Sequence, residues 1–180
     1  MTQPRTRARP SAKTERVRTV LFLCTGNSAR SILAEALLAH LGKGRFRALS
    51  AGSHPKGTVN AHALDLLRDK GLDAGPLHSK SWEEFEGSDA PSIDIVVTLC
   101  DSAPREACPV WPGSPVRCHW GIPDPASATG SKADIRAAFE TAFARLERRI
   151  GKLLELPIDK LEPASLTARL NDIGLSADKN

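Results

Sequence analysis

The chain has 180 residues, 41% of them hydrophobic and 26% charged, enough for one domain with a sizeable core. No apolar run approaches membrane-spanning length, and the run near the start, VLFLC, is too short for a secretory signal. A reducing, cytoplasmic setting with no membrane partner is therefore expected, and with it thiols rather than structural disulfides.

The net charge of +4 belongs to residues 1–18, where six Lys or Arg side chains face only Glu15. This stretch has almost no large apolar residue, so it reads as a disordered basic tail, a solvated arm with no nucleic-acid partner expected. Residues 19–156 read as an α/β domain. Aromatics make up 4% and Tyr is absent, so its core must rest on Leu, Val, Ile and Ala. TVLFLC (Thr19–Cys24) is a continuous apolar run that reads as a buried parallel strand. SILAEALLAHLG carries Ile32, Leu33, Ala36, Leu37 and Leu41 at helical spacing and stops at Gly42.

FRALSAG predicts a second strand, and NAHALDLLRDKG a second helix between an Asn60 cap and Gly71. SWEEF opens a short helix with a capping-box pattern from Ser81 to Glu84. IDIVVTLC (Ile93–Cys100) and VRCHW predict the third and fourth strands. A long amphipathic helix follows, with Ile135, Phe139, Phe143, Leu146, Ile150 and Leu153 on one face. Beyond Pro157, residues 157–180 form an extension whose short helix is expected to stop at Gly174. Strands alternating with helices specify an open, four-stranded parallel sheet flanked by helices.

In such sheets ligands sit outside the carboxyl ends of the strands. Cys24 and Cys100 both lie at such ends, so two thiols from separate strands are expected in one crevice. The loop Cys24, Thr25, Gly26, Asn27, Ser28, Ala29, Arg30, Ser31 joins strand to helix, and its backbone N–H groups can cradle an anion. Gly26 supplies a positive φ, Asn27 tolerates the left-handed region, and the Arg30 fork suits two oxygens of a tetrahedral oxyanion. The same field favours a thiolate at Cys24, facing an oxyanion held by the loop.

CTGNSARS, with LSAG, VVTLC, CPVWP and HWGIPDP further along, resembles the low-molecular-weight protein tyrosine phosphatase superfamily, and most of all the arsenate reductases that share its fold. The resemblance runs from about Thr19 to Leu154. It implies a phosphatase-like catalytic domain with no organic cofactor, a Ser31 hydroxyl bonded to the nucleophile and Asp124 as general acid. Read alone, Asp124 is a turn residue before Pro125.

Both branches attack an oxyanion with the first cysteine, and the remaining cysteines separate them. Arsenate reduction takes two electrons, which two thiols supply on forming a disulfide, whereas phosphate-ester hydrolysis needs none. The resemblance implies a relay in which Cys24 forms a thiol-arsenate adduct, Cys100 attacks Cys24 to release arsenite, and Cys108 attacks in turn. The Cys100–Cys108 disulfide would then pass to thioredoxin or glutaredoxin. Disulfide Cα atoms lie roughly 4.4–6.8 Å apart, so the Cys100–Cys108 segment must curl or unwind, and Pro104 limits regular helix across it.

The alternative is a tyrosine phosphatase, but the Asp-Pro pair here reads DPASATG, without the tyrosines that usually follow it in those enzymes. A third class, a metal or metalloid module of Cys100, Cys108, Cys118 and His119, fits no regular zinc spacing, so no metal site is expected. Cys118 reads as a packing cysteine and His119 as a strand-end histidine. Some members of the family the chain resembles hold a monovalent cation through residues matching Asn27, Glu35 and Ser50, with Asp73 as a further candidate, while Glu35 reads equally well as an exposed helix residue.

Overall fold

The first strand, β1 (Arg18–Cys24), is buried from Thr19 onward, and its two faces enter two different cores. Val20 and Phe22 pack among the helices on one side, while Leu21 and Leu23 join Ala51, Phe85, Ile93, Val96 and Trp111 on the other. An apolar run without alternation is what a central parallel strand covered on both faces requires. The computed structural model describes residues 16–100, 109 and 111–176. The tail up to residue 15, Cys108 and the segment around Pro104 lie outside the described residues.

The sheet has the order β2-β1-β3-β4, all parallel, formed with β2 (Phe46–Gly52), β3 (Ile95–Thr98) and β4 (Val116–His119). The helices are α1 (Arg30–Leu41), α2 (Ala61–Asp69), α3 (Lys132–Glu155) and α4 (Pro163–Ser176). This is the four-stranded α/β architecture expected from the strand and helix alternation. The third strand is shorter than its apolar run, although Leu99 N–H still donates to Leu23 O at 2.8 Å, so the ladder reaches the cysteines. At the opposite end Asp94 accepts from Thr19 N at 2.8 Å and pairs with Arg18 at 3.2 Å, while Arg18 also pairs with Asp159.

Local signals behave as their chemistry dictates. The Asn60 side chain caps α2 by accepting from His62 N, and Gly71 follows the helix at φ +70°. Ser131 and Asp134 form a reciprocal capping box that starts α3, which buries Phe139, Phe143, Leu146, Ile150 and Leu153. Residues Trp82–Phe85 form a 3-10 turn, with Ser81 Oγ accepting from Glu83 N, one residue earlier than a capping box would place it.

Gly174 departs from expectation, because α4 runs through it to Ser176. A Cβ at Gly174 would stand 2.4 Å from His119 O and 2.9 Å from the Trp120 ring, so the glycine serves close packing, not termination. Around that contact the segment beyond 157 shares the main core through Leu166, Leu170 and Ile173. Trp120 Nε1 donates to Leu170 O at 2.8 Å. The buried Arg149 of α3 donates to Trp120 O, Gly121 O and Gly174 O at 2.9, 3.1 and 3.0 Å. Because the obstructing atom at Gly174 is backbone, Gly174→Ala is expected to cost roughly 1–3 kcal/mol, read as a lower urea midpoint at unchanged m-value.

Candidate active site

Cys24 ends β1, and the chain turns through Thr25–Ala29 into α1. Asn27 takes the left-handed conformation at φ +38°, whereas Gly26, expected to supply a positive φ, does not. The short Asn side chain makes that geometry tolerable and then locks it. Buried completely, it accepts from Lys80 N at 2.7 Å and donates from Nδ2 to Ser31 Oγ and Ser50 Oγ, each at 2.9 Å. The loop carbonyls are taken from outside, by His54 N on Thr25 O, Lys56 N on Gly26 O and Asn60 N on Ser28 O. In a planar trans peptide the N–H opposes the C=O, so the amides of Gly26, Asn27 and Ala29 turn inward. The first turn of α1 adds its own donors, since Ala29 at its N-cap offers no side-chain acceptor.

These groups border a cavity of about 350 Å3, lined by Cys24, Thr25, Gly26 and residues 28–30 with His54, Lys56 and Asp124. Ser31 Oγ lies 3.0 Å from Cys24 Sγ and accepts from Asn27, which leaves its one proton to donate to a thiolate sulfur. Arg30 donates through Nη1 to Ile122 O at 3.1 Å and pairs through Nη2 with Asp124 Oδ2 at 3.2 Å. Its Nε is buried and has no hydrogen-bond partner among the described residues. Asp124 is the turn residue expected before Pro125, its Oδ1 accepting from Ala126 N, while its Oδ2 faces Arg30 at the cavity wall. Cys100 is brought to the same place: it forms a buried contact with Cys24, and Thr25 Oγ1 lies 3.5 Å from its sulfur.

The sequence model of the low molecular weight phosphotyrosine protein phosphatases matches residues 19–165, most of the chain. The protein belongs to that family. Among its curated relatives, an arsenate reductase of Bacillus licheniformis is 34% identical, the match covering 77% of this chain and 96% of the relative. Arsenate reductase 1 of Staphylococcus epidermidis is 36% identical over 72% of this chain and 98% of its own length. Of the solved structures, an arsenate reductase from Archaeoglobus fulgidus superposes with a TM-score of 0.60 at 30% identity, covering 76% of this chain and 99% of that one. A thioredoxin-dependent arsenate reductase of Corynebacterium glutamicum gives 0.55 at 26%, covering 80% and 64%.

In this member of the family, four residues around the loop carried no signal readable from spacing. Gly52 closes β2, and a Cβ there would meet Thr25 O at 2.5 Å and Asn27 N at 3.0 Å, so the loop packs where only glycine leaves room. His54 and Lys56 add basic groups to the cavity wall, and the Lys56 stem lies against Gly26. Lys80 is nearly as buried as the aliphatic core, with its ammonium 3.6 Å from Glu35 Oε2 and donating to His78 O at 3.0 Å.

Cys118 and His119 stay apart from the cavity. Cys118 belongs to the main core, and burial pushes its thiol up to about 12, so it remains protonated. The His119 ring lies 2.8 Å from Thr98 Oγ1, with Nδ1 as the near atom. Among the described residues no three His, Cys, Asp or Glu side chains gather as metal ligands. No described helix is long and apolar enough to cross a membrane.

Proposed function

We propose that the protein reduces arsenate to arsenite with its own thiols, in the cytoplasm, and is restored by a dithiol protein. The observation that carries this reading is the buried contact of Cys24 with Cys100 at the ends of adjacent strands. A phosphatase uses one thiol there, and a two-electron reductant needs a second within reach of the first.

Arsenate binds with its oxygens on the loop amides and on Arg30, competing with Asp124 for the guanidinium donors. The Cys24 thiolate attacks arsenic, and one oxygen leaves as water with a proton from Asp124. Ser31 steadies the sulfur before and after this step. Cys100 then attacks Cys24 Sγ. The electron pair of the S–As bond returns to arsenic, which leaves as arsenite, and a Cys24–Cys100 disulfide remains. Cys108 attacks Cys100, frees Cys24 and leaves a Cys100–Cys108 disulfide for the reductant. The net change is arsenate plus one dithiol to arsenite, one disulfide and water.

The family likeness to arsenate reductases, and the absence of Tyr after the Asp-Pro pair, favour this over a tyrosine phosphatase. Slow aryl-phosphate hydrolysis is still expected, because the first step is common to both. Thioredoxin is the first reductant to try, since the Corynebacterium glutamicum neighbour is thioredoxin-dependent.

The test follows NADPH oxidation with arsenate, thioredoxin and thioredoxin reductase. Wild type is expected to turn over continuously, and Cys108→Ser to release about one arsenite per molecule and stop. Turnover only with glutathione and glutaredoxin would keep arsenate as substrate and move the last acceptor away from Cys108. No arsenate turnover with any reductant, beside brisk aryl-phosphate hydrolysis, would overturn the reading.

A further inference from the structure

We propose that Lys80 is a positioning residue for Cys24: its buried ammonium supplies, from within the chain, the positive charge that Glu35 requires, and so holds the oxyanion loop in shape without a bound cation.

The argument starts from what burial costs. Lys and Glu are almost never fully buried unless paired, and the Lys80 and Glu35 side chains are only 5% and 13% exposed. Burial raises the Glu35 carboxyl above its ordinary range, while the Ser50 hydrogen bond, the Lys80 ammonium and, least, the nearby exposed His78 oppose that rise. Glu35 lies one turn beyond Ser31 on α1, so both face the loop.

From this pair a single run of contacts reaches the nucleophile. Ser50 Oγ donates to Glu35 Oε2 at 2.5 Å and accepts from Asn27 Nδ2 at 2.9 Å. Asn27 Nδ2 also donates to Ser31 Oγ at 2.9 Å, and Ser31 stands 3.0 Å from Cys24 Sγ. Two contacts set the donor directions, Ser50 Oγ on Glu35 and Lys80 N–H on Asn27 Oδ1. An ionised Glu35 can only accept, so Ser50 spends its proton there and must accept from Asn27. Asn27 is then oriented with Nδ2 toward both hydroxyls and Oδ1 toward Lys80 N, and Ser31 keeps its proton for sulfur. A protonated Glu35 would donate to Ser50 instead, freeing the Ser50 proton and leaving Asn27 held by Lys80 N–H alone. Lys80 enters the arrangement twice, by its backbone N–H on Asn27 and by its ammonium beside Glu35.

The monovalent cation implied by the resemblance does not fit these residues. Asp73 is exposed and accepts from Gly75 N in its own turn. Asn27 Oδ1 is engaged by Lys80 N, and a metal ion beside Glu35 would meet the ammonium as a like charge.

The proposal rests on Cys24 being the nucleophile, but its test needs neither arsenate nor a reductant, so failure of the reductase reading leaves it intact. Alkylation of Cys24 by iodoacetamide is followed by mass spectrometry across pH, in KCl, NaCl and choline chloride at equal ionic strength. Wild type is expected to react alike in all three salts. Lys80→Met is expected to slow alkylation at neutral pH by roughly three- to tenfold and to move the profile to higher pH. In the double variant Lys80→Met/Glu35→Gln the amide oxygen can still accept from Ser50 with no charge to balance. Its profile is therefore expected to return toward wild type even if Lys80→Met alone is poorly folded. A potassium requirement in wild type would overturn the proposal. So would a Lys80→Met profile unchanged in a folded protein, or a double variant as slow as the single one.

Discussion

Cys100→Ser is expected to abolish multiple turnover of arsenate, a loss of roughly 10³-fold or more, while leaving aryl-phosphate hydrolysis within a few-fold of wild type. The asymmetry comes from where the electrons are needed. The loop amides, Arg30, Ser31 and Cys24 are untouched by the change, so oxyanion capture and the first attack persist. Cys100 makes a buried contact with Cys24 but is not needed to hold it, since Ser31 Oγ already stands 3.0 Å from Sγ. What disappears is the sulfur that, in the proposed relay, attacks Cys24 and returns an electron pair to arsenic. A serine hydroxyl in its place forms no S–S bond, so the adduct has no reductive exit.

Parallel assays with arsenate and with an aryl phosphate decide the matter, with Cys24→Ser as the reference that loses both. Equal loss of the two activities in Cys100→Ser would assign Cys100 to the shape of the loop. Unchanged arsenate turnover would remove it from the chemistry. Cys118 provides the internal control. Its thiol lies in the helix-side core, where burial raises it far above the ordinary thiol range, so Cys118→Ala is not expected to alter the ratio of the two activities.

The contrast between Cys100 and Lys80 shows what the linear sequence carries. Cys24 and Cys100 were legible because apolar runs mark strands, and parallel strands must deliver their C-terminal residues to one edge. Asn60, Gly71 and the α3 face were legible because caps and helical spacing are local signals. Lys80 was not. Its partners, Glu35 and Asn27, are separated from it by 45 and 53 positions, and they meet only because the 80–81 segment docks on Gly52 at the end of β2, beside β1. A lysine in a loop reads as a solvated charge until its burial is seen. Gly174 misled for a related reason: a glycine near a helix end signals termination locally, yet here a neighbouring backbone carbonyl 2.4 Å from its would-be Cβ demands it. Gly26 and Asn27 show the same limit at finer scale, since either residue could have taken the left-handed turn and only the side-chain bonds of Asn27 select it.

Arg30→Lys is expected to lower kcat/KM for arsenate and for aryl phosphate together, each by roughly 10²–10³-fold. Both substrates present tetrahedral oxygens to the same fork, so the loss should not discriminate between them. Lysine preserves the charge but not the geometry. Arg30 uses Nη1 on Ile122 O and Nη2 on Asp124 while Nε remains buried and available as a further donor, and one ammonium cannot reproduce three fixed directions. The guanidinium also anchors the segment that carries Asp124, through Ile122 O, so Asp124, the proposed general acid, is expected to lose its registration as well. The two contributions separate in a cycle with Asp124→Asn. If Arg30 acts only on the oxyanion, the two losses multiply. If it also places Asp124, the double variant falls short of the product, and the deficit measures that positioning.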